Sequence, residues 1–326
     1  LATRRSIATW PFLVGVRPFA GQLGDGRAIS LGELHGFEIS LKGSGKTPLS
    51  RAGDGRAVLQ SLCREFLGGA ALVALGVPST RALAVIGTDD PRDTVVRDEW
   101  YTGQPTRKRA GVLVRVAPTF LRFGSFQLAA KRQGVAGLVE LARFALRKIA
   151  LLETRDDASV AYLQQAQLHG GAEGVDSNIR AQCFFSAHRE QTCAARAATE
   201  LEPEPVLRCL LRRVVERCAA LAAAWMATGF AHGPYRHDRT LTTPVDSRNE
   251  WCCLGVMNTD NMSILCISLD LNVYGFMERY DEGYVPNKID DEGRYAFGEQ
   301  AEMMRWNLMR LASALGGTSY PQDYEP

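Results

Sequence analysis

No apolar run in this chain approaches the ~18 residues that span a bilayer as a helix, so a helical membrane protein is not expected. An excess of charge of either sign is nearly absent: 38 Lys and Arg stand against 36 Asp and Glu, a formal net charge of +2. With a pI near 8.2, that balance is too mild to make nucleic acid a main partner. Eight cysteines occur, but none as C-x-x-C, so zinc spacing and the dense spacing of a disulfide scaffold are both missing. The default reading is buried or free thiols in a reducing compartment, and the spacing leaves a regulatory disulfide open. The five histidines show no metal spacing, and no Ser-His-Asp arrangement can be argued. No internal repeat is visible.

What is present is ordinary globular material. Hydrophobic residues make up 46% and charged residues 23% of 326, which argues against a disordered or collagen-like chain. That length suggests about two domains or one two-lobed unit. Arg4, Arg5, Ser6 and Thr9 hint at the tail of a transit peptide, over a stretch too short to count.

The first third reads as strands around one helix. Residues 27–31 follow a glycine turn. Residues 37–42 alternate apolar and polar, predicting a strand with Lys42 on its polar face. Residues 43–55 are rich in Gly, Ser and Pro and read as a loop. Residues 57–75 have helical periodicity and end at Gly76. Strands are predicted at 81–86 and 111–116, with an exposed polar hairpin loop over 87–109. After Pro118 the pattern turns helical, over 137–153 and 206–228, while 154–204 carries little signal. Strands first and helices later predict an α+β protein with two lobes, 1–118 and 119–326.

Several residues could carry chemistry. Gly24 and Gly26, flanking Asp25 and followed by Arg27, let a turn approach a phosphate closely, although such a turn is more often a plain hairpin. Gly45-Lys46-Thr47 imitates a P-loop, but Ser40 stands where the motif needs Gly and Pro48 blocks the helix that should follow. Lys42 on a strand and Glu65 in the next helix reproduce the order in which kinases hold nucleotide phosphates. Asn258, Asp260 and Asn261 lie on a loop, a strand is predicted over 265–269, and Asp270 follows. Oxygen ligands of this kind suit Mg²⁺, which keeps phosphate oxygens among its ligands. The bland alternative is an Asx-rich turn. Arg115 and Arg122 could clamp phosphate bidentately or form structural ion pairs. His232 reads as a turn residue.

Residues 21–33, 41–67, 75–83, 111–126, 255–264 and 293–297 together make the chain resemble the selenoprotein O (YdiU-like) family of protein-kinase-like enzymes. The resemblance implies a bilobal protein-kinase-like fold of pseudokinase appearance, with a strand-rich N-lobe and a helical C-lobe. It implies transfer of AMP from ATP to Ser, Thr or Tyr hydroxyls of proteins, with pyrophosphate released and Mg²⁺ or Mn²⁺ required. Carried onto matching positions, Gly24, Gly26 and Arg27 line the nucleotide, as do Asp54 and Gly55 on a second loop. Lys42 contacts phosphate and pairs with Glu65, Arg115 and Arg122 hold phosphates, Asp260 is the base, and Asn261 with Asp270 binds the metal. The family occurs in mitochondria and in bacteria, so the location expected is mitochondrial for a eukaryotic source and cytoplasmic for a bacterial one.

The departures are specific. Family members run from Gly-Phe-x-His-Gly directly into the Asn-Thr-Asp-Asn segment, whereas here residues 234–254 intervene. Residues 270–274 replace a small Gly-containing segment, and the matching blocks do not extend to the family's N-terminal region or C-terminal extension. A nucleotide-binding scaffold without catalysis and ordinary γ-phosphate transfer are the competing readings.

Overall fold

A computed structural model describes residues 26–48, 50, 53–97, 104–154, 202–233, 257–286, 293 and 295–316. The architecture is mixed α+β. Strands β1 (Ala28–Leu34) and β2 (Phe37–Lys42) form a hairpin. Short β3 (Ala57–Val58) runs into helix α1 (Leu59–Ala74), and β4 (Arg81–Gly87), β5 (Thr94–Arg97) and β6 (Thr106–Ala117) follow. Beyond them lie helix α2 (Phe123–Thr154), helix α3 (Pro203–Ala227), the two-stranded ribbon β7 (Phe230–His232) and β8 (Tyr274–Phe276), and helix α4 (Gln300–Ala314).

Strand β6 organises the six-stranded sheet. Its 12 residues pair antiparallel with β2, β3, β4 and β5, and β1 joins through β2. The sequence reading of 87–109 as an exposed loop is corrected here. β5 and the start of β6 lie inside it, and Val95 is buried against Val58 and Ala110. The Val-rich β-branched run at 94–96 supplies the strand propensity that the surrounding charges obscured.

The period of two in β2 places Glu38, Ser40 and Lys42 on one face, as expected. That polar face is nevertheless the interior one: Lys42 is fully buried. In the register, Ser40 lies opposite Arg115 and Lys42 opposite Leu113, so Arg115 shares the face of Lys42. Helix α1 covers this face and buries Leu62, Glu65 and Leu72, while Leu67 is exposed.

The larger core is helical. α2 supplies Leu138, Ala142, Ala145, Leu146 and Ile149, and α3 supplies Leu210, Val214, Cys218, Leu221 and Trp225. Helix α2 starts earlier than expected, at Phe123, because non-helical Gly134 (φ 62°) kinks a longer helix rather than preceding one. Glu153 of α2 takes ion pairs from Arg213 and Arg217 of α3. No helix among the described residues is long and apolar enough to cross a membrane.

Candidate active site

Strand β2, strand β6 and helix α1 deliver three charged side chains to one buried point, and the loop after residue 264 delivers a fourth. Lys42 Nζ donates to Glu65 Oε2 at 2.7 Å and to Asp270 Oδ1 at 3.0 Å. Arg115 donates to the same Asp270 oxygen at 2.8 Å and lies 3.6 Å from Glu65 Oε1. Arg122, at the entrance to α2, pairs with Asp270 Oδ2 at 2.8 Å. Three cations thus face two carboxylates, and these five groups carry one positive charge in excess. Burial pushes the Asp270 carboxyl up, but Arg122, Lys42 and Arg115 outweigh it and hold the group well below the usual carboxylate range.

The strand expected over 265–269 is absent. Ser263 to Leu265 turns, Cys266 has φ 51° and Asp270 has φ 55°. Left-handed residues at both ends break the extended backbone a strand requires. In its place the segment is fastened residue by residue. Arg217 Nε donates to Leu265 O at 2.9 Å, and Trp225 Nε1 to Ser268 Oγ at 2.8 Å. Ser268 N bonds Pro78 O and Thr80 N bonds Ser268 O. His232 Nε2 lies 2.9 Å from Leu269 O. His232 is therefore not a turn residue: it is a buried member of β7, and burial pushes its imidazole pKa down.

Asp260 and Asn261 sit on a loop closed by Asn258, whose Oδ1 accepts from Asp260 N at 2.9 Å and whose carbonyl accepts from Asn261 N at 3.0 Å. Arg122 joins this loop to Asp270. Its Nη1 donates to the Asp260 carbonyl and lies 3.4 Å from Asn261 Oδ1. The two residues expected to bind metal therefore face a common positive group. Among the described residues no three His, Cys, Asp or Glu gather as a metal cluster. One carboxylate and one amide oxygen are hard donors of the type a divalent cation takes together with phosphate oxygens, but both Asp270 oxygens are engaged by Lys42, Arg115 and Arg122, so a metal there would replace part of that pairing.

The glycine turn and the second loop meet beside this cluster. Gly43 N donates to Arg27 O at 2.6 Å, and Gly45 N to Gly55 O at 3.1 Å. Gly55 has φ 70°, and a Cβ there would stand 2.0 Å from Gly45 O, so only glycine fits. Arg27 is buried. Gly26 O accepts from Ser50 Oγ. Gly24 lies outside the described residues, as do 155–201 and the intervening 234–254. Asp54 does not join the Lys42 cluster: it accepts from Arg97 Nη2 at 2.5 Å and from Arg56 N at 2.9 Å. Partial burial raises its pKa, but these hydrogen bonds and charges lower it overall.

Sequence reasoning missed the supports of the Asp260 loop. Asn307 of α4 is fully buried and donates to Met257 O at 2.7 Å, and Gln127 of α2 accepts from Thr259 Oγ1 at 2.8 Å. Gln300 Oε1 accepts from His232 N at 2.9 Å, and its Nε2 donates to Phe230 O at 2.9 Å. The available signal was a polar residue, Asn307, in phase with buried Met303, Met304 and Leu311.

Residues 15–243 and 250–323 match the family model described as protein adenylyltransferase SelO. The chain belongs to that family, and the break between the matched segments falls inside 234–254. Among relatives, a protein nucleotidyltransferase YdiU of Xanthomonas axonopodis pv. citri is 39% identical over 303 residues. Proteins of the same name are 40% identical in Xanthomonas campestris pv. campestris (strain 8004) and 39% in Azoarcus sp. (strain BH72). Each alignment covers 91% of this chain but 45% of the relative, so the chain spans about half the length of the curated relatives it matches.

Proposed function

We propose that this chain is a metal-dependent protein adenylyltransferase that moves AMP from ATP to Ser, Thr or Tyr hydroxyls of proteins. The observation that carries the reading is the convergence of Lys42, Arg115 and Arg122 on Asp270, with positive charge in excess, in a chain of the SelO family. A bilobal kinase-like arrangement goes with it: the sheet lies within 1–118 and the helices from α2 onward within 119–326, with the cluster drawing on both.

In this reading Gly26, Arg27 and Gly55 line the nucleotide, and Gly24 and Asp54 belong to the same two loops. Glu65 fixes the Lys42 ammonium at 2.7 Å, so the charge is positioned before substrate arrives. Arg115 and Arg122 neutralise the β- and γ-phosphates, which leave as pyrophosphate when the hydroxyl oxygen attacks the α-phosphorus. Asp260 accepts the hydroxyl proton at its carboxylate. Asn261 and Asp270 would hold Mg²⁺ or Mn²⁺, which when bound draws charge from phosphate oxygens.

The test is ATP labelled at the α- or the γ-phosphate, with Mg²⁺ or Mn²⁺ and an Asp260→Ala control. Protein-bound label from α-labelled ATP alone, lost in the variant, is expected. Label from γ-labelled ATP alone makes the chain a kinase. No label, with ATP still raising Tm, makes it a binding scaffold, the reading that the interruption at 234–254 favours.

A further inference from the structure

We propose that Cys218 and Cys266 are an oxidisable dithiol that closes into a disulfide and staples α3 to the segment carrying Asp270. The two Sγ atoms lie 2.9 Å apart, and both residues are buried, at 0% and 2% exposure. A disulfide needs a sulfur separation of ~2.05 Å, so closure requires less than ~1 Å of approach. Both backbones are held in place for it. Cys218 lies within α3, with Arg217 beside it bonded to Leu265 O at 2.9 Å. Cys266 N donates to Ser263 O at 2.9 Å, and Cys266 Sγ contacts Val214 O of α3 at 3.4 Å. Trp225, two turns further along α3, holds Ser268.

The backbone of Cys266 adds an independent sign. Its φ of 51° is unfavourable for a residue with a Cβ. The contacts on either side keep the thiol aimed at Cys218 in spite of that cost. The hydrogen bond with Cys266, and burial after it, push the Cys218 thiol pKa up. The pair therefore stays reduced until local opening admits a small oxidant.

Hydrogen peroxide is the oxidant class that suits so enclosed a pair. One thiolate attacks a peroxide oxygen, the O–O bond breaks, and a sulfenic acid forms with loss of water. The second sulfur attacks the sulfenic sulfur and expels a second water. Two thiols and one peroxide thus give one disulfide and two waters, both thiol protons ending in water. The link joins residues 48 positions apart, which restricts the unfolded chain and stabilises the folded one.

The experiment treats the native chain with hydrogen peroxide, then denatures it in alkylating reagent and maps the disulfides. Cleavage after Lys and Arg and before Asp leaves Cys218 within 218–236 and Cys266 within 260–269, each peptide with a single cysteine. A Cys218–Cys266 link is expected, with a rise in Tm of ~5 °C or more that dithiothreitol reverses. Cys266→Gly, which suits the left-handed backbone, and Cys218→Ala should each abolish the rise. Free thiols at both positions, links confined to other cysteines, a lowered Tm, or a rise that persists in Cys266→Gly would overturn the proposal. No readout involves ATP, so failure of the nucleotide reading leaves these outcomes intact.

Discussion

Lys42 and Asp270 stand 228 positions apart in sequence and 3.0 Å apart in space. Lys42 comes from β2, and Asp270 from an irregular loop anchored on α3 and β7. Their contact joins the sheet to the helical part of the molecule, and both side chains are buried. A buried ion pair gives little net stability, yet removing one partner costs about 3–5 kcal/mol because the other charge stays buried.

Asp270→Ala therefore carries two penalties. Label transfer from ATP should be lost, and stability should fall by about 3–5 kcal/mol as Lys42, Arg115 and Arg122 lose their shared acceptor. Phosphates can supply the missing negative charge. ATP should then raise the Tm of Asp270→Ala by more than that of the parent, as thermal scans with and without nucleotide would show. An equal shift in both would separate the cations from the phosphates.

Gly68 of α1 lies against the ring of Tyr274, where an added Cβ would come within 2.6 Å. One turn earlier, Arg64 donates to Tyr274 O at 2.8 Å and stacks over the same ring at 4.9 Å. Gly68→Ala should cost about 1–3 kcal/mol through overpacking and weaken transfer by moving Glu65 relative to Asp270. Tyr274→Ala in the same molecule should recover most of the stability. A double-mutant cycle by chemical denaturation measures the coupling, and simple additivity would refute the clash.

Asn307→Ala removes the donor to Met257 O and leaves a buried carbonyl unpaired, at about 1–3 kcal/mol. Because that carbonyl opens the Asp260 loop, transfer should fall while ATP still raises Tm. Loss of both together would place Asn307 in general folding rather than in loop support.

His232 sets a pH dependence. Its folded pKa is depressed by burial, so between the folded pKa and the unfolded value near ~6.5 the unfolded state binds more protons. Stability should accordingly fall as pH drops below about 6.5. The loss should shrink in His232→Asn. Tm measured across pH 5 to 8 for both proteins decides it, and identical profiles would assign the acid sensitivity elsewhere.

The sequence made Lys42 and Glu65 readable, because alternation and helical spacing fix which residues share a face. It could not show that the polar face of β2 is the inner one. That depends on α1 and Asp270 arriving to match the charge, a tertiary fact. Arg115 and Arg122 could be picked out as cations, but their meeting on the two oxygens of a single carboxylate needs the β2–β6 register and the turn at Arg122. The irregular path of 263–270 was hidden because hydrophobicity reports burial, not φ, and Cys266 and Asp270 are left-handed without being glycine. Gln300 and Asn307 were missed because an amide in a helix reads as surface until its buried acceptor is known.

Strand β6 pairs with β2, β3, β4 and β5, and that arrangement fixes the order in which a chain leaving the ribosome can settle. The β1–β2 hairpin can form at once, but every other strand pairing waits until residues 106–117 emerge. Lys42 and Arg115 then share a face more than 150 residues before Asp270 is synthesised. Helix α1 can cover that face early, with Glu65 against Lys42, but the second carboxylate arrives only with Asp270, so the excess positive charge must stay hydrated while more than 150 further residues are made.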